Sequence, residues 1–146
     1  MTTQNATAEA EVRAAVDRLV EAVRTGDLAT LKTLFAPDLV SFDIQPPLRH
    51  AGAATKQASW EMIFESFALP LEYEVRDPAV LVDGDLAVVY SLNHMNATMN
   101  AGPKIDYWLR ATSTWRRIDG NWIVVHDHVS VPTNFLDRTA AMDLMP

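Results

Sequence analysis

Asp127 is one side chain in this sequence suited to chemistry, because the pattern around it turns it inward. It stands in His126-Asp127-His128, within the long run from Tyr107 to Pro132. Asp119-Gly120 divides that run into two strands and is a strong hairpin signal. If Gly120 takes the left-handed position of a three-residue loop, Arg117 pairs with Asn121. Trp115 then faces Ile123, Ser113 faces Val125, Ala111 faces Asp127, and Leu109 faces Val129. That face is apolar except for Ser113 and Asp127. A slip of one residue would mix the faces and put Arg and His into the core. Asp127 is then the one charge on the packed face. Burying an unpaired charge is costly, so Asp127 either meets a ligand or pairs with a buried Arg or His.

The other face carries Trp108, Arg110, Thr112, Thr114, Trp122, Val124, His126, His128 and Ser130. His126 and His128, two apart on one strand, have metal-ligand spacing. Arg110 pairs opposite His128, a cation there disfavours a metal, and no third ligand is evident. Neither a metal nor another cofactor is expected. Arg with Trp on a polar sheet face suits a subunit interface, so Trp108, Arg110, His126 and His128 are expected to join a homodimer. In the preceding strand, Leu86, Val88, Tyr90 and Leu92 form the more apolar side, which His94 continues. Facing inward, Tyr90 and His94 can donate to a developing oxyanion. The plainer alternatives are a core Tyr90 with its hydroxyl at the rim and a satisfied rim His94.

The elements that position these groups follow from spacing. Val12, Val16, Leu19, Val20 and Val23 recur at helical intervals, which predicts a helix over roughly 7–25. Gly26 ends it and Asp27 caps a second, short helix that stops at Pro37. Leu39 to Asp43 reads as a strand. Ile44 to His50, with two prolines, reads as a loop. A third helix follows Gly52, with Trp60, Ile63, Phe64 and Phe67 on one face. Leu71 to Val75 is a strand with Leu71, Tyr73 and Val75 inward; Asp77-Pro78 interrupts it and Ala79 to Val82 resumes it. Asp83-Gly84 is a second hairpin signal, and Leu86 to Met99 is a long strand. Ala140 to Leu144 forms either a terminal turn or a partner contact. Helices followed by consecutive hairpins give an α+β class: a strongly curved antiparallel sheet wrapped on three helices, a cone with a pocket inside.

Composition narrows the functions. A chain of 146 residues with 49% hydrophobic content can build one ordinary domain. The net charge of −7 argues against nucleic acid or an anionic membrane as partner. With no cysteine there is no disulfide, thiol nucleophile or cysteine zinc site. The first residues lack the basic and apolar parts of a signal peptide, and no apolar run reaches membrane-spanning length. A soluble, cytoplasmic protein is expected.

The order of elements resembles the nuclear-transport-factor-2-like cone. Thr25-Gly-Asp-Leu-Ala-Thr-Leu-Lys-Thr-Leu-Phe-Ala-Pro-Asp-Leu-Val-Ser-Phe-Asp43 resembles the start of the ketosteroid isomerases, and Ala68-Leu-Pro-Leu-Glu72 adds a local match. The last third, ending in His126-Asp-His-Val-Ser-Val-Pro132, resembles a SnoaL-like subfamily of isomerase homologues of unknown function. It is also similar to the association domain of calmodulin-dependent kinase II. The resemblance implies one domain over 1–146. In the isomerases an Asp base works beside an oxyanion hole of Tyr and a neutral Asp. Asp43 matches the position of the base. A carboxylate in an apolar cavity has a raised pKa, nearer neutrality, where a base works best. Alternatively, Asp43 caps the Pro46-Pro47 loop. Leu19 stands at the family's Tyr position and Ser113 near its neutral acid, so steroid isomerisation by that mechanism is not expected. Leu19, Trp60, Phe64, Tyr73, Ser113, Trp115 and Val129 are expected to line the pocket. The pocket suits a small apolar molecule. The expected chemistry is proton transfer on a carbonyl compound, of isomerase, cyclase or lyase type, by Asp43 or Asp127. The alternative is a non-catalytic module for small-ligand binding or dimerisation.

Overall fold

A computed structural model describes residues 2–146. Helix α1 (Thr3–Thr25) begins where the Thr2 side chain accepts a hydrogen bond from the Asn5 N–H. It ends at Gly26, whose φ of 73° is the left-handed conformation that glycine adopts without strain. Asp27 caps α2 (Leu28–Leu34) by accepting from the Thr30 N–H at 3.0 Å. The chain passes directly into strand β1 (Phe35–Phe42). The second helix therefore ends before Pro37, and the strand starts earlier than Leu39. Pro37 has no N–H for a ladder, and the pairing of β1 shifts between Phe35 and Val40, the interval that contains it.

The short strand β2 (His50–Ala51) precedes α3 (Ala53–Ser66). Phe67 lies just past this helix, in extended backbone, rather than on its apolar face. Four long strands follow: β3 (Glu72–Asp83), β4 (Leu86–Thr98), β5 (Lys104–Ile118) and β6 (Asn121–Ser130). The sheet order is β2-β1-β6-β5-β4-β3; β1 runs parallel to β6, and the other neighbours are antiparallel. The curved sheet packs on the three helices, the expected α+β cone. Within β3 the register shifts between Arg76 and Ala79, and Asp77 has a φ of 47°. Asp77-Pro78 is thus a bulge inside one strand. In the tail, Thr133–Asn134 pairs with Thr139–Ala140 as a minimal hairpin, β7 and β8.

The β5–β6 hairpin departs from the expected register. Asp119 and Gly120 have φ values of 50° and 79°, and they form a two-residue turn that pairs Ile118 with Asn121. Two left-handed central residues match the right-handed twist of the strands. The pairing then shifts between Thr114 and Trp115, which leaves Val125 as an extra residue. That bulge turns Trp122 and Val124 inward, where they are 6% and 1% exposed, although alternation from Asp127 places them outside. Beyond the bulge, Ser113 rather than Ala111 faces Asp127.

Strand β4 shows its faces the other way round from the expectation. Ala87, Val89, Asn93, Met95 and Ala97 are buried, whereas Leu86, Tyr90 and Leu92 are exposed at 43%, 51% and 38%. Tyr90 and His94 therefore lie on the convex face and cannot reach the interior. The inner face of a cone that keeps a cavity needs small and polar side chains as well as apolar ones. Leu86, Tyr90 and Leu92 stand outside. Within the cone, one core cluster joins Val12, Val16 and Leu39 to Trp115, Trp122 and Val124; a second joins Val23, Leu31, Leu71 and Met95. Among the described residues, no helix is long and apolar enough to cross a membrane.

Candidate active site

Between these clusters lies a cavity of about 140 Å³. Leu19 from α1, Trp60 from α3, Tyr73 from β3, Ser113 and Trp115 from β5, and Val129 from β6 line it, with Asp43 and Asp127. Phe64 does not line it; it stacks behind Trp60 with ring centroids 5.8 Å apart. Asp43 directly follows β1, and Asp127 lies on β6 beside it, because Ser41 and Asp127 are paired neighbours in the parallel ladder.

The two carboxylates meet on a residue that the sequence pattern did not single out. Lys56, on α3, places its ammonium 2.7 Å from Asp43 Oδ2 and 2.9 Å from Asp127 Oδ2. It donates a third, longer bond of 3.3 Å to Ser41 Oγ. All three N–H bonds of the ammonium are thus taken. The Lys56 side chain is 5% exposed, and Asp43 and Asp127 are 16% and 13% exposed. A buried lysine survives as a cation only where carboxylates replace its water. Burial alone pushes Lys56 down, but Asp127 and Asp43 more than offset it and raise its pKa above the ordinary 10.5. Burial likewise pushes Asp43 up, yet the Lys56 charge and the backbone N–H groups of Ile44 and Gln45 bring it below 3.8. This corrects the expectation of a raised Asp43 pKa. The ion pair outweighs desolvation here. The two carboxylates and one ammonium form a cluster of net charge −1.

The two aspartates differ in what they have left to offer. Asp43 Oδ2 accepts from Lys56, and Oδ1 accepts from its neighbour's Ile44 N–H at 2.7 Å. Asp127 Oδ1 is buried without a hydrogen-bond partner. Asp127 lines an otherwise largely apolar, aromatic chamber, to which Tyr107 also contributes. Burial raises the pKa of that tyrosine. Trp60 Nε1 is also buried without a partner, and the Lys56 ammonium lies 5.8 Å from the Trp60 ring centroid. A divalent cation between the aspartates would have to displace Lys56. No cluster of three or more His, Asp or Glu side chains suited to a metal occurs among the described residues.

The remaining candidates sit on the convex face. His94 stacks on Trp108 at 4.5 Å and bonds through Nε2 to Asp106 Oδ1 at 2.6 Å. Arg76 lies 4.2 Å from the Trp108 ring centroid, so Trp108 is only 9% exposed and already covered within the chain. His126 donates from Nδ1 to the Val40 carbonyl at 2.7 Å, and His126 and His128 both meet Phe42 edge-on. Arg110 is exposed and bonds to Ser130.

Lys56 was legible in one respect. Positions 56, 60 and 63 share a helical face, which sets a lysine on the side that Trp60 and Ile63 mark as buried.

With this geometry in view, the SnoaL-like domain family matches residues 12–134. The chain belongs to the SnoaL-like family. A nuclear-transport-factor-2-like protein of unknown function from Pseudomonas putida KT2440 is 31% identical, with a TM-score of 0.87 over 98% of this chain and 99% of that one. A nuclear-transport-factor-2-like superfamily protein from Salmonella enterica serovar Typhimurium is 22% identical, with a TM-score of 0.77 over 89% and 94%. The CaMKII hub of S. rosetta shares the fold at 23% identity, with a TM-score of 0.70 over 84% and 95%. No curated protein matches the chain. Family membership accounts for the fold, and within it the chain brings Asp43, Lys56 and Asp127 together.

Proposed function

We propose that this SnoaL-like protein catalyses proton transfer on a small, largely apolar carbonyl compound held in the cone, with Asp127 as the base. The observation that carries the reading is the buried, unpartnered Oδ1 of Asp127, a residue that lines the cavity, on a carboxylate whose other oxygen is fixed by Lys56. A base must present a free lone pair to the proton it removes. Asp43, matched by resemblance to the isomerase base, has both oxygens engaged. Its role is to position Lys56, which in turn orients Asp127. Lys56 does not act as a nucleophile: its pKa is raised and its N–H bonds are occupied. The substrate leaves Asp127 with a proton and carries away the charge as an enolate, which then recovers a proton at carbon.

The test is α-proton exchange. Small enolisable ketones such as acetophenone are incubated with the protein in D2O and followed by proton NMR. Exchange should exceed the buffer rate, and Asp127→Asn should reduce it about 100-fold or more, in the range of a lost general base. Exchange that survives Asp127→Asn unchanged refutes the base assignment. A small molecule retained in native mass spectra without any exchange on it would instead support the binding-module reading.

The protein is a homodimer in this reading, joined by the convex sheet face. Leu81, Leu86, Tyr90 and Leu92 are all at least 38% exposed there, next to Arg110 and His128. An apolar patch of this kind, rimmed by polar residues, marks an association surface.

A further inference from the structure

By the resemblance to the ketosteroid isomerases, Leu19 stands at their tyrosine position and Ser113 near that of their neutral acid, so a carbonyl oxygen in the cavity needs another donor. Tyr73, Ser91 and Asn93 line the same cavity as Asp127. Ser91 Oγ donates to Asn93 Oδ1 at 2.7 Å, and Asn93 Nδ2 donates to the Tyr73 hydroxyl oxygen at 2.7 Å. Tyr73 is thus an acceptor towards Asn93, and its own O–H has no acceptor among the described residues. A buried hydroxyl proton without a partner is costly unless a ligand takes it. Two residues that line the cavity thus keep an unused hydrogen-bonding group, the Tyr73 O–H as donor and Asp127 Oδ1 as acceptor.

We propose that the Tyr73 hydroxyl is the donor that receives the substrate's carbonyl oxygen, and that Asn93, steadied by Ser91, is the positioning residue that turns its proton towards the cavity. The proposal rests on the cavity being a carbonyl site. The step balances within the substrate and the protein. The α C–H bond breaks and the proton goes to Asp127 Oδ1. The electron pair forms the C=C bond and the charge moves to oxygen, where Tyr73 O–H holds it. Reprotonation at carbon returns the proton. Burial raises the Tyr73 pKa, the Asn93 bond offsets part of this, and the charges of Asp127 and Asp43 add to it. Tyr73 therefore stays protonated and able to donate at any working pH. A neutral donor fixed before the reaction stabilises the developing charge without reorganising.

Acetophenone and α-methylstyrene have nearly the same shape but differ in C=O against C=CH2, so the pair isolates the oxygen. Calorimetric titration of the intact protein should show acetophenone binding roughly three- to tenfold tighter, the worth of one buried neutral hydrogen bond. Tyr73→Phe should remove that preference and leave α-methylstyrene affinity within about twofold of wild type. Infrared difference spectra of carbonyl-labelled acetophenone supply a readout that mere packing would not move. The C=O stretch should fall on binding to wild type, fall less in Asn93→Ala, and stay near its value in an apolar solvent in Tyr73→Phe. If Tyr73→Phe keeps both the preference and the shifted stretch, Tyr73 is not the donor. Equal affinity of wild type for the two compounds, or binding of neither, also overturns the proposal. A preference that disappears in Tyr73→Phe while wild type shows no α-proton exchange sinks Asp127 as base and leaves Tyr73 as donor.

Discussion

Replacing Lys56 with Met tests the central cluster most directly. The substitution keeps an unbranched apolar stem, with a sulfur for one methylene, and removes the ammonium. Two carboxylates whose Oδ2 atoms both lie within 2.9 Å of one nitrogen then face each other with no cation between them. Removing one partner from a buried pair costs about 3–5 kcal/mol, because the remaining charge stays buried without its partner. In a chain of this size that lowers the melting temperature by something of the order of 10 °C. The pH dependence is the sharper readout. In wild type the Asp43 pKa is depressed, so its contribution is present above the unfolded value of 3.8 and is lost as pH falls through the lower folded value. The Lys56 pKa is raised, so its contribution is present below 10.5 and is lost as pH rises through the higher folded value. Between pH 5 and 8 Asp43 and Lys56 therefore add no slope. In Lys56→Met, taking up a proton relieves the carboxylate repulsion, so stability should increase as pH falls from 8 to 5. Thermal unfolding followed by circular dichroism at both pH values measures this. A loss below about 1 kcal/mol at pH 8, or a pH profile as flat as wild type, would refute the reasoning. The triple variant Lys56→Met, Asp43→Asn, Asp127→Asn should regain most of the stability, since no net charge remains buried.

Two further outcomes follow from the geometry. Tyr90→Glu combined with Leu92→Glu puts charge into the exposed apolar strip of β4 and should convert the proposed dimer to monomer in sedimentation velocity; an unchanged mass would remove the convex face as the interface. Gly26→Ala should cost about 1–2 kcal/mol in denaturant unfolding, because φ is 73° and the new Cβ would lie 2.7 Å from Leu69 Cδ1, and a loss within error of zero would show that the helix cap tolerates a side chain.

Much of the cavity's lining is legible in the sequence. The single charge on an otherwise apolar strand face pointed to Asp127 because burying a charge demands a reason. Leu19, Trp60, Tyr73, Ser113, Trp115 and Val129 were expected around the pocket and lie there. The ion cluster was not legible. Lys56 looks like one more polar residue on a short helix, and only the packing of α3 against the end of β1 and the middle of β6 brings its nitrogen between two carboxylates. The Ser91–Asn93–Tyr73 relay was hidden for a different reason. Asn93 and Ser91 are polar, and alternation read by hydrophobicity sends polar residues outward.

Local chemistry determined the elements: helical spacing for α1 and α3, Gly26 and Asp27 for the caps, Asp-Gly pairs for the turns, and the α+β order that follows from them. These depend on neighbours within a few residues, so they can be read along the chain. Tertiary structure decided which way strands face. A single extra residue at Val125 reverses Trp122 and Val124 without altering composition, and no local preference encodes it. The face of β4 was decided by the cavity, which takes small and polar side chains inward and leaves Tyr90 and Leu92 on the convex surface. The charge state of the site was decided last, because the ionisation of Asp43 and Lys56 depends on partners that only the closed cone brings within 3 Å.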